Sequence, residues 1–263
     1  MLLCIDIGNT NIVFGVFKED KLLNSFRLET NYHKTIDEYG LKFIEMIKYM
    51  GHELKEIDGV VIASVVPQLD GIFAKMIGKY IDIEPLFVNS GIKTGINVKI
   101  DSPKQLGADI LVGAVAAVNK YMAPVIIIDM GTAITFTYVN VNKELLGGII
   151  APGIRTSYNS LIKKASRLEE VNIERPKSVV GKDTVSAIQS GMIFGTSALI
   201  DGLIKQLKKE KGECPVIITG GEARFILTAL EEKAYYEEDL MLEGLKYIYY
   251  KNKKNSVNSE GKS

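Results

Sequence analysis

The feature that most constrains the fold is an internal repeat, in which a short segment near the N-terminus recurs about half a chain later. Leu3 to Phe17 reads LCIDIGNTNIVFGVF, and Ile126 to Val139 reads IIIDMGTAITFTYV. Each copy has an apolar run, then Asp, an apolar residue and Gly, then a β-branched and aromatic run, which is typical of a strand, a tight turn and a second strand. Asp and Gly favour turns wherever they occur, but this does not explain the matching strands. We therefore expect two copies of one domain.

Composition narrows the class of protein. The 263-residue chain is 46% hydrophobic and 24% charged, as in a globular protein that buries a core. Its 32 Lys and Arg balance 32 Asp and Glu, which disfavours nucleic-acid binding by bulk charge. No basic stretch precedes the first apolar run, and no apolar run approaches the roughly 18 residues of a membrane span. We expect a cytoplasmic protein whose partners include neither nucleic acid nor a membrane.

Cysteine and histidine are too few for several kinds of site. Cys4 and Cys214 both lie in apolar runs, so we expect no disulfide framework. His33 and His52 are the only histidines, and neither neighbours a nucleophile or ligand motif. A multi-histidine metal site and a Ser/His/Asp triad are therefore not predicted.

Local patterns predict the main helices. A capping box at Thr35 to Glu38 opens an amphipathic helix. Ser102 to Gln105 supplies a cap, a proline at the first helical position and a glutamine, and predicts a helix that continues to about Tyr121. Two further helices are predicted over 184–194 and 198–211, the second ended by a glycine.

The repeat also predicts the domain boundaries. We expect a first domain over residues 1–119 and a second over 120–250. The last segment, 251–263, reads KNKKNSVNSEGKS; it is polar and has no hydrophobic period, so it is predicted to be disordered.

The two turns of the repeat predict phosphate binding. A glycine-containing turn after a strand offers consecutive backbone N–H groups, which a polyphosphate needs, and Gly8 to Asn11 fits this requirement. Asp6, just before the turn, can hold Mg²⁺ through water, because this hard cation prefers one or two carboxylates together with phosphate oxygens. The second turn, Asp129 to Thr132, would face the first across a cleft. Neither a P-loop nor a GxGxxG fingerprint is present in the sequence.

These residues resemble the acetate and sugar kinase, heat-shock chaperone and actin superfamily, whose members clamp ATP between Asp-Gly hairpins of duplicated domains. The resemblance implies an α/β fold of duplicated ribonuclease H-like (actin-like ATPase) domains, each a mixed five-stranded sheet with flanking helices. A closer resemblance is to the type III pantothenate kinases. It rests on seven segments that occur in order between residue 3 and about 250: Asp6 to Asn11, Ser64 to Pro67, Gly91 to Gly95, Gly107 to Asp109, Asp129 to Ala133, Gly147 to Gly153 and Thr219 to Gly221.

The resemblance implies ATP-dependent phosphorylation of pantothenate to 4′-phosphopantothenate, the first step of coenzyme A biosynthesis. It also implies a homodimer, ATP as co-substrate, Mg²⁺, and a monovalent cation, K⁺ or NH₄⁺, held by Asp129. The residues that it assigns to ATP binding are Asp6, Ile7, Gly8, Asn9, Thr10, Asn11, Ile12, Val13, Thr132, Gly220 and Gly221. Those that it assigns to pantothenate are Ile100, Gly107, Ala108, Asp109, Ile110 and Thr184, the last of these across the dimer interface.

Asp109 is the candidate catalytic base. In the second turn of the helix opened at Ser102, it lies close to Leu106 and Ile110, where partial desolvation would raise its basicity. It could then accept the proton of the substrate hydroxyl during phosphoryl transfer. The alternative is a solvent-facing Asp on the helix surface.

Other assigned residues also have simpler interpretations. Asp129 could only form a turn, and the glycine pair at 220 and 221 could only end a strand. Thr184 could only belong to a helix cap, which Asp183 could equally provide.

Two positions depart from the family pattern, since Ile110 and Ile100 stand where the family usually has Arg and Tyr that contact pantothenate. Ile cannot replace the bidentate contact of Arg with a carboxylate. Lys104 or Lys182 could compensate, or the substrate could be another small hydroxylated molecule. A third alternative is a catalytically weakened family member that acts as a regulatory or accessory protein. The phosphate-facing acids, Asp109 among them, favour a kinase.

Overall fold

The computed structural model describes residues 1–89, 91–164 and 171–260. The chain divides into two compact units: unit 1 contains Met1–Asn119 and Asp239–Ser263, and unit 2 contains Lys120–Glu238. The strands are β1 (Leu2–Ile7), β2 (Asn11–Lys18), β3 (Lys21–Glu29), β4 (Gly59–Ser64), β5 (Leu86–Phe87), β6 (Asn97–Val98), β7 (Val125–Met130), β8 (Ala133–Val139), β9 (Glu144–Pro152), β10 (Val216–Thr219) and β11 (Tyr235–Tyr236). The helices are α1 (Ile36–Tyr49), α2 (Pro67–Ile81), α3 (Ala108–Tyr121), α4 (Ile154–Lys164), α5 (Thr184–Ser190), α6 (Thr196–Lys211) and α7 (Leu240–Glu260).

The two units share one strand topology. In unit 1 the order is β3-β2-β1-β4-β5, and in unit 2 five strands follow the order β9-β8-β7-β10-β11. In each unit the first three strands form an antiparallel meander, and the first strand pairs in parallel with the fourth, which pairs in parallel with the fifth. The duplication predicted from the repeat and the ribonuclease H-like α/β fold implied by the resemblance are therefore confirmed.

The two hairpins of the repeat differ by one residue. Between β1 and β2 the last pair is Ile7 with Ile12, whereas between β7 and β8 it is Met130 with Ile134. The turn of unit 2 is thus one residue shorter, and the spacing between the two copies changes inside the turn.

The sheet of unit 1 is buried on both faces because successive side chains of a strand point to opposite sides. In β1, Leu3 and Ile5 pack in the core that also contains residues of α1 and α2. The alternate residues, Leu2 and Cys4, pack in a second core with residues of α3 and α7. All four side chains are 2% exposed or less.

The last helix belongs to unit 1, which corrects the predicted boundary of the second domain at residue 250. Gly244 of α7 approaches α3 so closely that a Cβ atom there would lie 2.3 Å from the Val112 carbonyl oxygen. The helix also continues to Glu260, so residues 251–260 are helical and not disordered as predicted. Apolar contacts in the first turns of α7 anchor it, and the helix then continues without a hydrophobic period. Residues 261–263 lie outside the described residues.

The two helices predicted over 184–194 and 198–211 form one continuous helix. A π-helical turn, Gly191–Gly195, joins α5 to α6 without a break. Of the described residues, this is the one helix whose length and composition would suffice to cross a membrane. A core helix of a soluble protein passes the same test, and Ile200 and Ile204 are buried in the core of unit 2.

A buried lysine fixes α7 to the sheet of unit 1. The Lys246 side chain is 4% exposed; its Nζ lies 2.8 Å from a Glu243 carboxylate oxygen and donates a hydrogen bond to the Asp20 carbonyl oxygen at 3.2 Å. The ammonium also lies 5.1 Å from the centre of the Phe17 ring. A buried charge needs such partners to offset the loss of water.

We predict that Glu243→Gln lowers the free energy of unfolding by about 1.5 to 3 kcal/mol, the range for a hydrogen bond to a charged group. The matched control is Glu45→Gln, which breaks the exposed ion pair with Lys42 at the same helical spacing. It should cost less than about 0.5 kcal/mol. Urea denaturation measures both, and equal losses would show that burial of Lys246 adds nothing to the strength of its pair.

Candidate functional site

The first hairpin presents an exposed turn on a rigid base. The Gly8 N–H donates to the Asn11 carbonyl oxygen at 3.0 Å, and the side chains of Asn9, Thr10 and Asn11 are exposed. Behind the turn, the Thr30 hydroxyl donates to the Gly8 carbonyl oxygen at 2.7 Å, and the Thr30 N–H donates to the Thr10 carbonyl oxygen at 3.0 Å. Thr30 is buried, and its role was not predicted from the sequence because its partners lie twenty or more residues away.

The strands beside this turn contribute mainly backbone. Ile7 and Ile12 are fully buried in the core of unit 1, so they can contact a ligand only through their main chains. Asp6, one residue before the end of β1, is partly exposed and pairs with Val13 of β2. Its side chain is therefore within reach of solvent near the end of β1, beside the turn.

Asp109 lies in the first turn of α3 and not in the second turn of a helix opened at Ser102. Pro103–Gln105 form only a short 3₁₀ turn, after which Leu106 is extended and interrupts the helix. A new helix then begins at Ala108. The predicted start was wrong because the capping pattern at Ser102 encodes an isolated turn.

The predicted desolvation of Asp109 is present. Burial raises the pKa of its carboxyl group, although the Ile110 N–H donates to Oδ1 at 2.8 Å and opposes this rise. A Cβ atom on Gly107, the residue before α3, would lie 2.2 Å from that same Oδ1, so a larger residue there would displace the carboxylate. Gly107 thus leaves room for the carboxylate beside the backbone.

The other residues assigned to pantothenate in unit 1 lie before α3 or in its first turn. Ala108 and Ile110 flank Asp109 and are half-buried, as is Ile100. Lys104, on the 3₁₀ turn, is exposed.

In unit 2, three segments meet at the second hairpin. The Gly131 N–H donates to the Ala133 carbonyl oxygen at 3.0 Å and closes the turn. The Gly153 N–H donates to the Thr132 carbonyl oxygen at 3.0 Å, and the Thr156 hydroxyl donates to the same oxygen at 2.6 Å. A Cβ atom on Gly153 would lie 2.1 Å from the Gly131 carbonyl oxygen. Only glycine therefore lets α4 start against this turn.

The glycine pair after β10 reaches the same place. Gly220 has φ of +95°, and a Cβ atom there would lie 2.5 Å from Asp129 Oδ1 and 2.4 Å from the Met130 carbonyl oxygen. Thr219 pairs with Asp129 across the two parallel strands. The structure thus places Gly220 against Asp129 within unit 2, beside the hairpin that contains Thr132.

The carboxylates of Asp6 and Asp129 are of the kind that binds hard cations together with phosphate oxygens. Among the described residues, no group of three or more His, Cys, Asp or Glu could hold a metal alone. Mg²⁺ bound through one or two carboxylates, water and phosphate needs no such group. Asp6 could serve in this way, and Asp129 lies against Gly220, where a Cβ atom would come within 2.5 Å of its Oδ1.

Glu222 is a buried acid that sequence reasoning missed. It is 8% exposed, and its carboxylate accepts hydrogen bonds from the backbone N–H groups of Ile154 at 2.7 Å and Arg155 at 3.3 Å. Burial raises the pKa of this carboxyl group, against the lowering effect of those two donors and of the Arg155 charge. No local pattern signals this contact, because α4 lies 68 residues earlier in the chain.

Thr184 lines a cavity of about 820 Å³ in unit 2. The cavity is mostly apolar, and Lys182 also lines it. Asp183 caps α5, since its carboxylate accepts a hydrogen bond from the Ser186 N–H at 2.8 Å. The capping role is therefore filled by Asp183, and Thr184 is not needed for it.

Comparison with known proteins agrees with this description. The sequence profile of the type III pantothenate kinases matches residues 2–206. A Bacillus cytotoxicus protein named type III pantothenate kinase is 42% identical over 96% of this chain and 97% of its own length.

Two solved structures share the fold. A putative Baf family transcriptional activator from Campylobacter jejuni has a TM-score of 0.58 at 22% identity, covering 96% of this chain and 99% of its own. The activator of 2-hydroxyisocaproyl-CoA dehydratase from Clostridium difficile, solved with bound ADPNP, has a TM-score of 0.54 at 12% identity and covers 100% and 97%. At such identities they speak for the fold alone. The profile match and the Bacillus relative, together with the duplicated fold, show that this chain belongs to the type III pantothenate kinase family, whose members phosphorylate pantothenate in coenzyme A biosynthesis.

Proposed function

We propose that this kinase uses Asp109 as the general base that accepts the proton of the pantothenate 4′-hydroxyl. The hydroxyl oxygen then attacks the γ-phosphorus of ATP, ADP leaves, and the proton stays on the Asp109 carboxylate until it passes to water. The observation that carries this proposal is the partly desolvated carboxylate at the start of α3, because burial brings the pKa of an acid closer to that of an effective base.

The first hairpin is proposed to bind the ATP phosphates. Its turn is exposed, and the bond from Thr30 fixes its backbone; preorganised N–H groups stabilise the charge of the transferring phosphoryl group. When bound, Mg²⁺ neutralises phosphate charge, and Asp6 would hold it through water. The full set of proposed ATP ligands is Asp6, Ile7, Gly8, Asn9, Thr10, Asn11, Ile12, Val13, Thr132, Gly220 and Gly221.

Asp129 is proposed to hold the monovalent cation, K⁺ or NH₄⁺, beside the ATP phosphates. The close approach of Gly220 supports this, because a side chain at position 220 would overlap the Asp129 carboxylate, with its Cβ atom 2.5 Å from Oδ1. A single carboxylate suits a singly charged ion.

Pantothenate is proposed to bind at Gly107, Ala108, Asp109, Ile110 and Ile100, with Thr184 contributed by the second subunit of a homodimer. Without the family Arg and Tyr, a cation must be found elsewhere for the substrate carboxylate. Lys182 is favoured over Lys104, because it lines the same cavity as Thr184. The exposed apolar side chains at that cavity, Leu161 and Leu199, support the dimer.

We also propose that the protein is cytoplasmic and binds neither nucleic acid nor a membrane. The equal numbers of acidic and basic residues support the first of these absences.

The proposal is tested by ATP-dependent phosphate transfer to pantothenate with K⁺, NH₄⁺ or Na⁺ as the sole monovalent cation. We expect turnover with K⁺ or NH₄⁺ and little with Na⁺, and we expect Asp129→Asn to lose this dependence. Turnover that is equal with all three ions would contradict the role of Asp129.

The two alternatives give different results in the same assay. Turnover with other small hydroxylated acids but not with pantothenate would indicate a different substrate. ATP binding without transfer to any acceptor would indicate a regulatory or accessory protein.

A further inference from the structure

Glu222 joins the turn after β10 to the start of α4. Its carboxylate caps the two leading N–H groups of α4, those of Ile154 and Arg155. Its own backbone N–H donates to the Met130 carbonyl oxygen at 3.0 Å. The residue therefore holds β7, the Gly220 turn and α4 at one point.

The Glu222 backbone also supports the contact between Gly220 and Asp129. A Cβ atom on Gly220 would lie 2.5 Å from Asp129 Oδ1, and the backbone bond from the Glu222 N–H to the Met130 carbonyl oxygen fixes this turn two residues later. The Glu222 carboxylate ties the same turn to the start of α4. A short 3₁₀ turn continues from there, with the Phe225 N–H donating to the Glu222 carbonyl oxygen at 3.1 Å.

The hairpin backbone depends on it as well. The first turn of α4 holds the Thr132 carbonyl oxygen through the Gly153 N–H and the Thr156 hydroxyl. The amides that Glu222 caps follow directly after Gly153. A shift of α4 would therefore move both donors away from Thr132.

We infer that Glu222 is a positioning residue whose carboxylate ties the turn after Gly220 to the start of α4, which in turn holds the Thr132 carbonyl oxygen, and so sets the affinity for the monovalent cation and for ATP. The inference rests on the proposed roles of Asp129 and Thr132. Glu222 needs no contact with either ligand, since groups that orient direct ligands commonly change affinity when they are removed.

The test compares Glu222→Ala and Glu222→Gln with Ile204→Ala. Ile204 is fully buried in the core of unit 2, so its truncation destabilises the same unit without touching the site. We expect Glu222→Ala to raise the KM for ATP and the half-activating K⁺ concentration by about 10- to 100-fold, with the KM for pantothenate unchanged. Glu222→Gln should recover part of both, because its amide oxygen can still accept one hydrogen bond. Ile204→Ala should lower the Tm and change neither constant.

A second readout needs no turnover. A ligand that binds only the folded protein raises its Tm, so we expect K⁺ with a non-hydrolysable ATP analogue to raise the Tm of the wild type and of Ile204→Ala. Glu222→Ala should show a much smaller rise. Where Glu222→Ala does not fold, the same comparison is made with Glu222→Gln.

The outcomes separate the inference from the function on which it rests. If Glu222→Ala loses stability as Ile204→Ala does but keeps its ATP and K⁺ constants, Glu222 only caps a helix and the inference is overturned. If the wild type needs no monovalent cation, the role proposed for Asp129 fails, and the ATP affinities of the Glu222 variants then decide the inference alone.

Discussion

Asp109→Asn is expected to lower kcat by about 10²- to 10⁴-fold, the range attributed to a general base, while binding of a non-hydrolysable ATP analogue is retained. The amide has almost the same shape as the carboxylate but cannot accept the hydroxyl proton. Single-turnover phosphate transfer and equilibrium nucleotide binding measure the two effects. The matched control is Asp101→Asn, an exposed acid ahead of α3 that has no proposed role. Full activity of Asp109→Asn would exclude Asp109 as the base.

The difference in stability between Asp109→Asn and the wild type is also expected to depend on pH. Burial raises the pKa of Asp109 in the folded protein, so its contribution to stability is fully present below the unfolded pKa and is lost as the pH rises through the folded pKa. At pH 7 the wild type therefore holds an unfavourably buried charge that Asn lacks. We expect Asp109→Asn to be at least as stable as the wild type at pH 7, and to lose this advantage below the ordinary pKa of an Asp carboxyl. Urea denaturation across this range measures the difference.

Gly220→Ala is expected to reduce both stability and function. Its left-handed backbone at φ of +95° is unfavourable for alanine, and the new Cβ atom would overlap the Met130 backbone and the Asp129 carboxylate. Gly212→Ala is the matched control, because Gly212 has φ of +92° but nothing within 4 Å of an added Cβ. The control should cost on the order of 1 to 3 kcal/mol from backbone strain alone.

Gly220→Ala should cost more than its control in urea denaturation, because a backbone overlap must also be relieved. It should raise the KM for ATP and the half-activating K⁺ concentration, which Gly212→Ala should leave unchanged. Equal losses of stability with unchanged constants would mean that the turn adapts and that its close approach to Asp129 has no function.

The features that could be predicted from the sequence are those encoded by residues close together in the chain. The strand–turn–strand copies were recognisable because apolar runs bounded by Asp and Gly have few other interpretations, and each copy forms the first two strands of its unit's sheet. The predicted start of α3 was wrong, because a proline after a cap favours a single helical turn as much as a longer helix. The helical residues 251–260 carry no hydrophobic period, so the pattern offered no sign of them.

The site was predictable to the same extent. Asp6, Asp129 and the glycine pair at Gly220 stand in motifs, and the structure places Gly220 against Asp129 within unit 2. Thr30 and Glu222 stabilise the two hairpins from distant parts of the chain, and a contact between distant segments leaves no trace in either local sequence. Such supporting residues become visible only in three dimensions.

Unit 1 is built from two separate segments of the chain, and this sets the order in which the two units can be completed during synthesis. All of unit 2 is synthesised before α7, the last element of unit 1, because unit 2 is a continuous insertion between its two parts. Until α7 emerges, Cys4 of β1 and Val61 of β4 lack the apolar side chains of α7 that complete their core. Domains generally fold as units during synthesis, so the nascent chain completes its second unit first and its first unit last.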